Sequence, residues 1–171
     1  MRFSSVFCFV ALATLFAAPT AAQTTIPGGN TGNATWTAAG SPYTVQGDIT
    51  VQSGATLTIQ AGVEVRFATA DATGSGINTS RCELIVASGG SLVVEGTAAE
   101  PVVIESTGGS RNQWVGIRQL SGASADLQGL DVREAQVGLF SESTPTRLDG
   151  LRFFNNQVGA QAFGSSSPEF E

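Results

Sequence analysis

An all-β solenoid, a parallel β-helix wound in coils of about 21 residues, is the fold class this sequence predicts, on three observations. The first is an internal echo. Leu127-Gln-Gly-Leu-Asp-Val-Arg-Glu-Ala-Gln-Val-Gly138 returns as Leu148-Asp-Gly-Leu-Arg-Phe-Phe-Asn-Asn-Gln-Val-Gly159, with Leu, Gly, Leu, Gln, Val and Gly retained in place. The second is alternation. Ile49–Val51, Leu57–Ile59, Val63–Phe67, Leu84–Val86, Leu92–Val94, Val102–Ile104, Leu130–Val132 and Leu151–Phe153 each set apolar residues two apart, bounded by Gly, Ser, Thr, Asn or Pro. Such runs are strands of three to five residues. The third is the lack of any long segment with apolar residues at i, i+3, i+4 and i+7, the helical pattern.

In chain order, Met1-Arg2, the apolar run Phe3–Ala18 and the small residues Ala18-Pro-Thr-Ala-Ala22 form the pattern of a secretory signal peptide cleaved after Ala22. Residues 23–171 then form one β-helix domain of 149 residues (171 − 22). That portion holds 14 acidic residues against seven arginines (8 − 1, Arg2 leaving with the signal), with no lysine and no histidine. Such a balance argues against nucleic acid or an anionic membrane as partner. No later run is long enough to cross a bilayer, so no membrane insertion is expected after cleavage. Once Cys8 leaves, Cys82 is alone and reads as a small buried thiol, the alternative being an intermolecular bond.

A second echo links Val51-Gln-Ser-Gly-Ala-Thr-Leu-Thr-Ile59 to Val86-Ala-Ser-Gly-Gly-Ser-Leu-Val-Val94, each a strand, a Ser-Gly turn and a strand. The excess spacing is assigned to Ala68–Glu83, a polar loop projecting from the regular body. Leu148, Leu151, Phe153, Asn156 and Val158 also satisfy the leucine-rich-repeat pattern, so a leucine-rich-repeat binding protein is an alternative. It requires helical structure over Leu139–Thr146, a stretch of poor helix formers with an internal proline. In the β-helix reading, Leu127 stacks on Leu148, Leu130 on Leu151, Val132 on Phe153 and Val137 on Val158. Asp126 then faces Arg147 and Asp131 faces Arg152.

The run Tyr43–Phe67 resembles the opening coils of secreted bacterial β-helix proteins of pectin-lyase-like fold. Ser91–Gly96, Glu100–Ile104 and Trp114–Ile117 resemble the coils that follow in them. The resemblance covers residues 36 to 171 and implies a right-handed helix and an extracellular or cell-surface life. It leaves activity open, because the group holds polysaccharide lyases, hydrolases, adhesins and surface proteins. Trp36–Tyr43 is expected to cover the first coil. Pro168-Glu-Phe-Glu171 starts a further coil, so the chain reads as the N-terminal part of a longer solenoid.

Chemistry is sparse. Without histidine, Ser-His and Cys-His nucleophiles and histidine-bound metals are excluded. Glycoside hydrolysis needs two facing carboxyls, and the aligned coils offer acid over arginine, with Glu134 over Asn155. No catalytic, cofactor or metal residue is assigned. Asp71–Asn78 carries one carboxylate, too few for calcium. Asn155-Asn156 reads as a turn or the start of an amide ladder. Asn33-Ala-Thr35 and Asn78-Thr-Ser80 match the glycosylation acceptor. Trp36, Tyr43 and Trp114 are the candidates for stacking on sugar rings. The expected function is a non-enzymatic extracellular module for structural presentation or adhesion, with a polysaccharide or a surface protein as partner. The alternative is the N-terminal part of a polysaccharide lyase or glycoside hydrolase whose catalytic coils lie beyond residue 171.

Overall fold

A computed structural model of the chain describes residues 23–163. The signal-peptide reading of residues 1–22 and the further coil begun at Pro168 lie outside the described residues. Three short strands make each coil. The first coil is β1 (Thr24–Ile26), β2 (Gly29–Thr31) and β3 (Ala34–Trp36). The second is β4 (Tyr43–Val45), β5 (Ile49–Val51) and β6 (Thr56–Gln60). β7 (Glu64–Phe67), β8 (Glu83–Val86) and β9 (Ser91–Glu95) follow, then β10 (Val102–Ser106), β11 (Gly116–Gln119) and β12 (Ser124–Gln128). The fifth coil is β13 (Leu130–Arg133), β14 (Val137–Ser141) and β15 (Arg147–Asp149), and the sixth supplies β16 (Arg152–Phe154) and β17 (Val158–Ala162).

Each strand pairs in parallel with its equivalent one coil away. The result is a first sheet β1-β4-β7-β10-β13-β16, a second β2-β5-β8-β11-β14-β17 and a third β3-β6-β9-β12-β15. Parallel neighbours need a long crossover, and the rest of the coil provides it. The only helical piece among the described residues is a single 3₁₀ turn, Ala38–Gly40. Leu139–Thr146 holds the end of β14 and the start of no helix, which removes the leucine-rich-repeat alternative. The coils also begin earlier than the resemblance implied: a complete coil precedes Tyr43, so Trp36 and Tyr43 stand in the wall rather than over its end.

Both echoes are registers. Leu127 pairs with Leu148, Val132 with Phe153 and Val137 with Val158. Val51 pairs with Val86, and Leu57 and Ile59 pair with Leu92 and Val94. The offset is 21 residues in the first group (148 − 127) and 35 in the second (86 − 51), because the loop between β7 and β8 lengthens the third coil. Inward residues fill the interior in columns: Ile59, Val94, Leu127 and Leu148 on the third sheet, and Ile49, Leu84, Ile117 and Leu139 on the second. Burying each such side chain contributes about 1.5–3 kcal/mol. One column changes character along the axis. Val51 and Val86 give way to Gln119 and Ser141, whose hydroxyl donates to Gln119 Oε1 at 2.8 Å while Gln119 Nε2 donates to the Ala123 carbonyl at 3.0 Å.

The corners repeat as strictly as the strands. Between the second and third sheets, Gly54, Gly89 and Gly122 all take φ near +75° (76°, 75° and 78°), a region that suits glycine. Their amides run up the stack: Gly54 N–H donates to Gly89 O and Gly89 N–H to Gly122 O, both at 2.9 Å. Between the first and second sheets the non-glycine left-handed positions among the described residues are Asn112, Glu134 and Asn155. Asn156 closes this corner with its side chain, accepting from Ala135 N–H and donating to the Val132 carbonyl, each at 2.8 Å.

Candidate functional site

The interior is closed to ligands, so any site must lie on an outer face or at a corner. Trp36, Tyr43 and Trp114 are interior residues. Trp36 stacks on Tyr43 at 5.0 Å, and Trp114, with no exposed surface, stacks on Phe67 at 4.6 Å and donates its indole N–H to Arg133 O. The ring faces that would meet a sugar are therefore already occupied by protein. The alternation of these strands could not tell a wall aromatic from a surface one, because both occur at strand ends.

The outer face of the first sheet is charged, and its charges engage one another. Arg66 contacts Glu64 and lies 3.5 Å from Glu105; Arg133 lies 3.4 Å from Glu105 and 3.1 Å from Asp131; Arg152 reaches Asp131 at 2.6 Å. Phe154 lies under Arg133 and Arg152. Three carboxyls approach here that the sequence alignment left apart. Burial pushes the Glu105 carboxyl up, and neighbouring Glu64 and Glu134 push it further, against the pull of Arg133. Glu105, Glu134, Arg66 and Thr44 line a groove of about 290 Å³. The register itself keeps acid over arginine, with Glu105 opposite Arg66; Glu64 sits opposite Val103 and reaches Glu105 only diagonally, from the adjacent strand of the same sheet.

On the second sheet, the long loop is strapped to the body rather than free. Asp71 accepts from the amides of Asp48, Thr73 and Ser75 and from the Thr73 hydroxyl. Buried Asp48 accepts from Ser75 Oγ and Glu83 N–H, and buried Glu83 accepts from Ile77 N–H and pairs with Arg118. Burial raises Asp48, with Asp71 and Glu83 adding to the effect. Burial also acts to raise Asp71, but its hydrogen bonds outweigh this and hold it low. Burial, then Asp71 and Asp48, push the Cys82 thiol up to about 12, which makes it an inert buried thiol. The carboxylate oxygens of this loop are taken up by N–H and O–H donors. No cluster of three or more His, Cys, Asp or Glu suited to a metal ion occurs among the described residues.

The third sheet differs from both. Its outward residues form three columns, and only one charge pair is closed among them, Arg147 to Asp126 at 2.7 Å. One column carries small hydroxyls: Thr56, Ser91 and Ser124 in register, extended by Thr146, whose hydroxyl meets that of Ser124 at 3.2 Å. Another carries Gln60, Glu95, Gln128 and Asp149, again in register. None of these four side chains makes a hydrogen bond or ion pair among the described residues. A donor or acceptor of a free amide or carboxylate therefore recurs once per coil, at the strand spacing of about 4.8 Å.

This column borders a second groove, of about 370 Å³, at the corner leading to the first sheet. Here the fourth coil turns through six residues, Gly96–Pro101, whereas the fifth turns through Gly129 alone. Gly129 is required: at φ +56° its added Cβ would sit 2.4 Å from the Gly96 carbonyl carbon. The groove has a floor of glycine backbone and Leu151, walls of Ala98 and Pro101, and a rim of Gln128, Asp149 and Arg152. Neither groove was evident from the sequence, because both depend on corner lengths that differ between successive coils.

No helix among the described residues is long and apolar enough to cross a membrane. No curated protein and no solved structure matches the chain significantly. The family model of the pectate-lyase-like β-helix domain matches residues 28–140, from the first coil to the fifth. With 113 of 171 residues matched (140 − 28 + 1) and three parallel sheets wound as that description requires, the chain belongs to the pectate-lyase-like β-helix domain family.

Proposed function

We propose that the chain is an extracellular, non-catalytic β-helix module that holds a linear polysaccharide along the outer face of its third sheet. The observation that carries this reading is the in-register column Gln60, Glu95, Gln128 and Asp149, which has no internal partners and borders the glycine-floored groove. A sugar polymer laid along the solenoid axis repeats at a length close to one strand spacing. Each coil then offers one amide or carboxylate, and one hydroxyl beside it, to successive sugars. Sugar hydroxyls both donate and accept, and amides and carboxylates complement them. The family's relation to polysaccharides and the secretory pattern of residues 1–22 support the extracellular setting.

The test is a glycan array followed by calorimetry on the full chain, compared with Gln128→Ala/Asp149→Ala. The double variant is expected to lose about tenfold or more in affinity, the loss of two hydrogen bonds, with an unchanged thermal midpoint. Wild-type protein that binds no glycan, or a variant that binds equally well, would refute the proposal.

A second reading is favoured by one specific observation, the raised carboxyl of Glu105 between Glu64 and Glu134 in the first-sheet groove. A carboxyl raised by burial and by neighbouring acids is better suited than an ordinary one to act as a general acid toward a glycosidic oxygen. In that case the chain releases reducing ends from a polysaccharide and Glu105→Gln abolishes the release. A bound glycan that remains intact on prolonged incubation excludes this reading.

A further inference from the structure

Resting on the polysaccharide reading of the third face, we infer the ligand's chemical class: a glycan without acidic groups. The argument is one of charge accounting across the face and its groove. Glu95, Asp126 and Asp149 project from the outward columns, and the single cation among them, Arg147, is held by Asp126 at 2.7 Å. The cation at the groove rim, Arg152, is held by both oxygens of Asp131, Nε to Oδ1 at 2.6 Å and Nη2 to Oδ2 at 3.2 Å. Asp131 is itself almost fully buried, so releasing Arg152 to a ligand would strip a buried carboxylate of its closest cation and leave it Arg133 alone, at 3.1 Å. The chain supplies no lysine or histidine as substitute.

A carboxylate or sulfate on the ligand therefore meets Glu95 and Asp149 with no free positive charge. Two like charges about 4 Å apart in water repel, and two such encounters reduce affinity by about thirtyfold at low salt. A neutral sugar incurs no such penalty, and its hydroxyls satisfy the same carboxylates as donors. The specificity is thus set by what the face repels as much as by what it bonds. Calcium bridging would be the one escape for an acidic polymer, but Glu95 and Asp149 lie two coils apart with Gln128 between them, and no third acid joins them.

The experiment uses pairs of polysaccharides that differ only in charge: polygalacturonate and its methyl ester, glucuronoxylan and its carboxyl-reduced form, carrageenan and its desulfated form. Binding to the full chain is measured by calorimetry at low and high salt, with EDTA and with calcium. In the pair whose backbone is recognised, the neutral member should bind about tenfold or more tightly, with the gap closing at high salt. Glu95→Gln/Asp149→Asn should raise the affinity for the acidic member relative to the neutral member several-fold and so narrow the gap between them. An acidic member that binds as well as its neutral counterpart, with or without calcium, overturns the inference and leaves the polysaccharide reading standing. If no member of any pair binds, the polysaccharide reading itself fails, and the inference with it.

Discussion

The pair Glu83–Arg118 permits a stringent test of how the long loop is held. Glu83 has no exposed surface, and its Oε2 lies 2.9 Å from Arg118 Nη1. Arg118 is itself mostly buried and lies 5.7 Å from the Phe140 ring. Replacing Glu83 with Met removes the anion and leaves the guanidinium buried without its partner, which costs about 3–5 kcal/mol. Replacing both residues with Met removes both charges together, and such exchanges are close to neutral. The single variant Glu83→Met should therefore lower the free energy of urea unfolding by about 3–5 kcal/mol, and Glu83→Met/Arg118→Met should recover most of that loss. The variants also separate loop from body. Glu83 Oε1 accepts the Ile77 amide at 2.6 Å, so hydrogen exchange at Ile77 should accelerate in both variants, because neither retains the acceptor. A single variant that costs less than about 1 kcal/mol, or a double variant less stable than the single, would refute the claim that the ion pair is a mutually dependent unit.

Three further outcomes follow from the geometry. Leu127→Ala, in the middle of an interior column, should cost about 2–5 kcal/mol by urea unfolding. Gly129→Ala should cost about 3 kcal/mol or more, since its Cβ would strike the Gly96 backbone; wild-type stability would show that this corner yields. Asp48→Asn should stabilise the protein at neutral pH. The Asp48 carboxyl is raised in the fold, so its ionised form costs stability as pH rises through the folded value; with Asp71, Glu83 and Arg118 unchanged around it, the variant's advantage should shrink as pH falls toward 3.8 and vanish below it. Thermal melts across that range give the check, and an advantage that grows at low pH would contradict the sign.

The strands of the fold were legible because each coil must place its apolar residues where the next coil can stack on them. A 21-residue echo with Leu127, Leu130 and Val137 kept in place is the direct record of that demand, and the pairs Asp126–Arg147 and Asp131–Arg152 are its outward counterpart. The first coil escaped notice because Thr24–Ile26 and Gly29–Thr31 are too short and polar to read as strands, and only pairing with β4 and β5 defines them. The site was far less legible. Glu64 and Glu105 stand 41 positions apart in the chain (105 − 64) while their strands pair at an offset of 39 (103 − 64), so they meet diagonally and no alignment of the coils pairs them. The interior placement of Trp36, Tyr43 and Trp114 was hidden for a different reason: a Trp or Tyr beside a corner faces inward or outward according to a geometry that composition does not encode.

What distinguishes the three faces is how completely the fold uses its own polar groups. A coil with an inserted loop must satisfy the loop's amides, and on the second sheet Asp48, Asp71 and Glu83 serve that end. A face bearing alternating acids and arginines satisfies itself across strands, as Arg66, Glu105, Arg133 and Asp131 do on the first. The third sheet has neither a long insertion over it nor a balanced set of charges. Its free amides and carboxylates remain hydrated in the isolated protein, and a rigid sheet fixes their spacing before any ligand arrives. Ordering costs that a flexible site incurs on binding would then be largely absent, so under the proposed reading even modest hydrogen bonds, repeated coil after coil along one polymer, would translate into affinity. On the proposed polysaccharide reading, the same rigidity would make the contacts periodic rather than clustered: the solenoid would supply one set of contacts per coil, and extending the polymer across one more coil would add one more set.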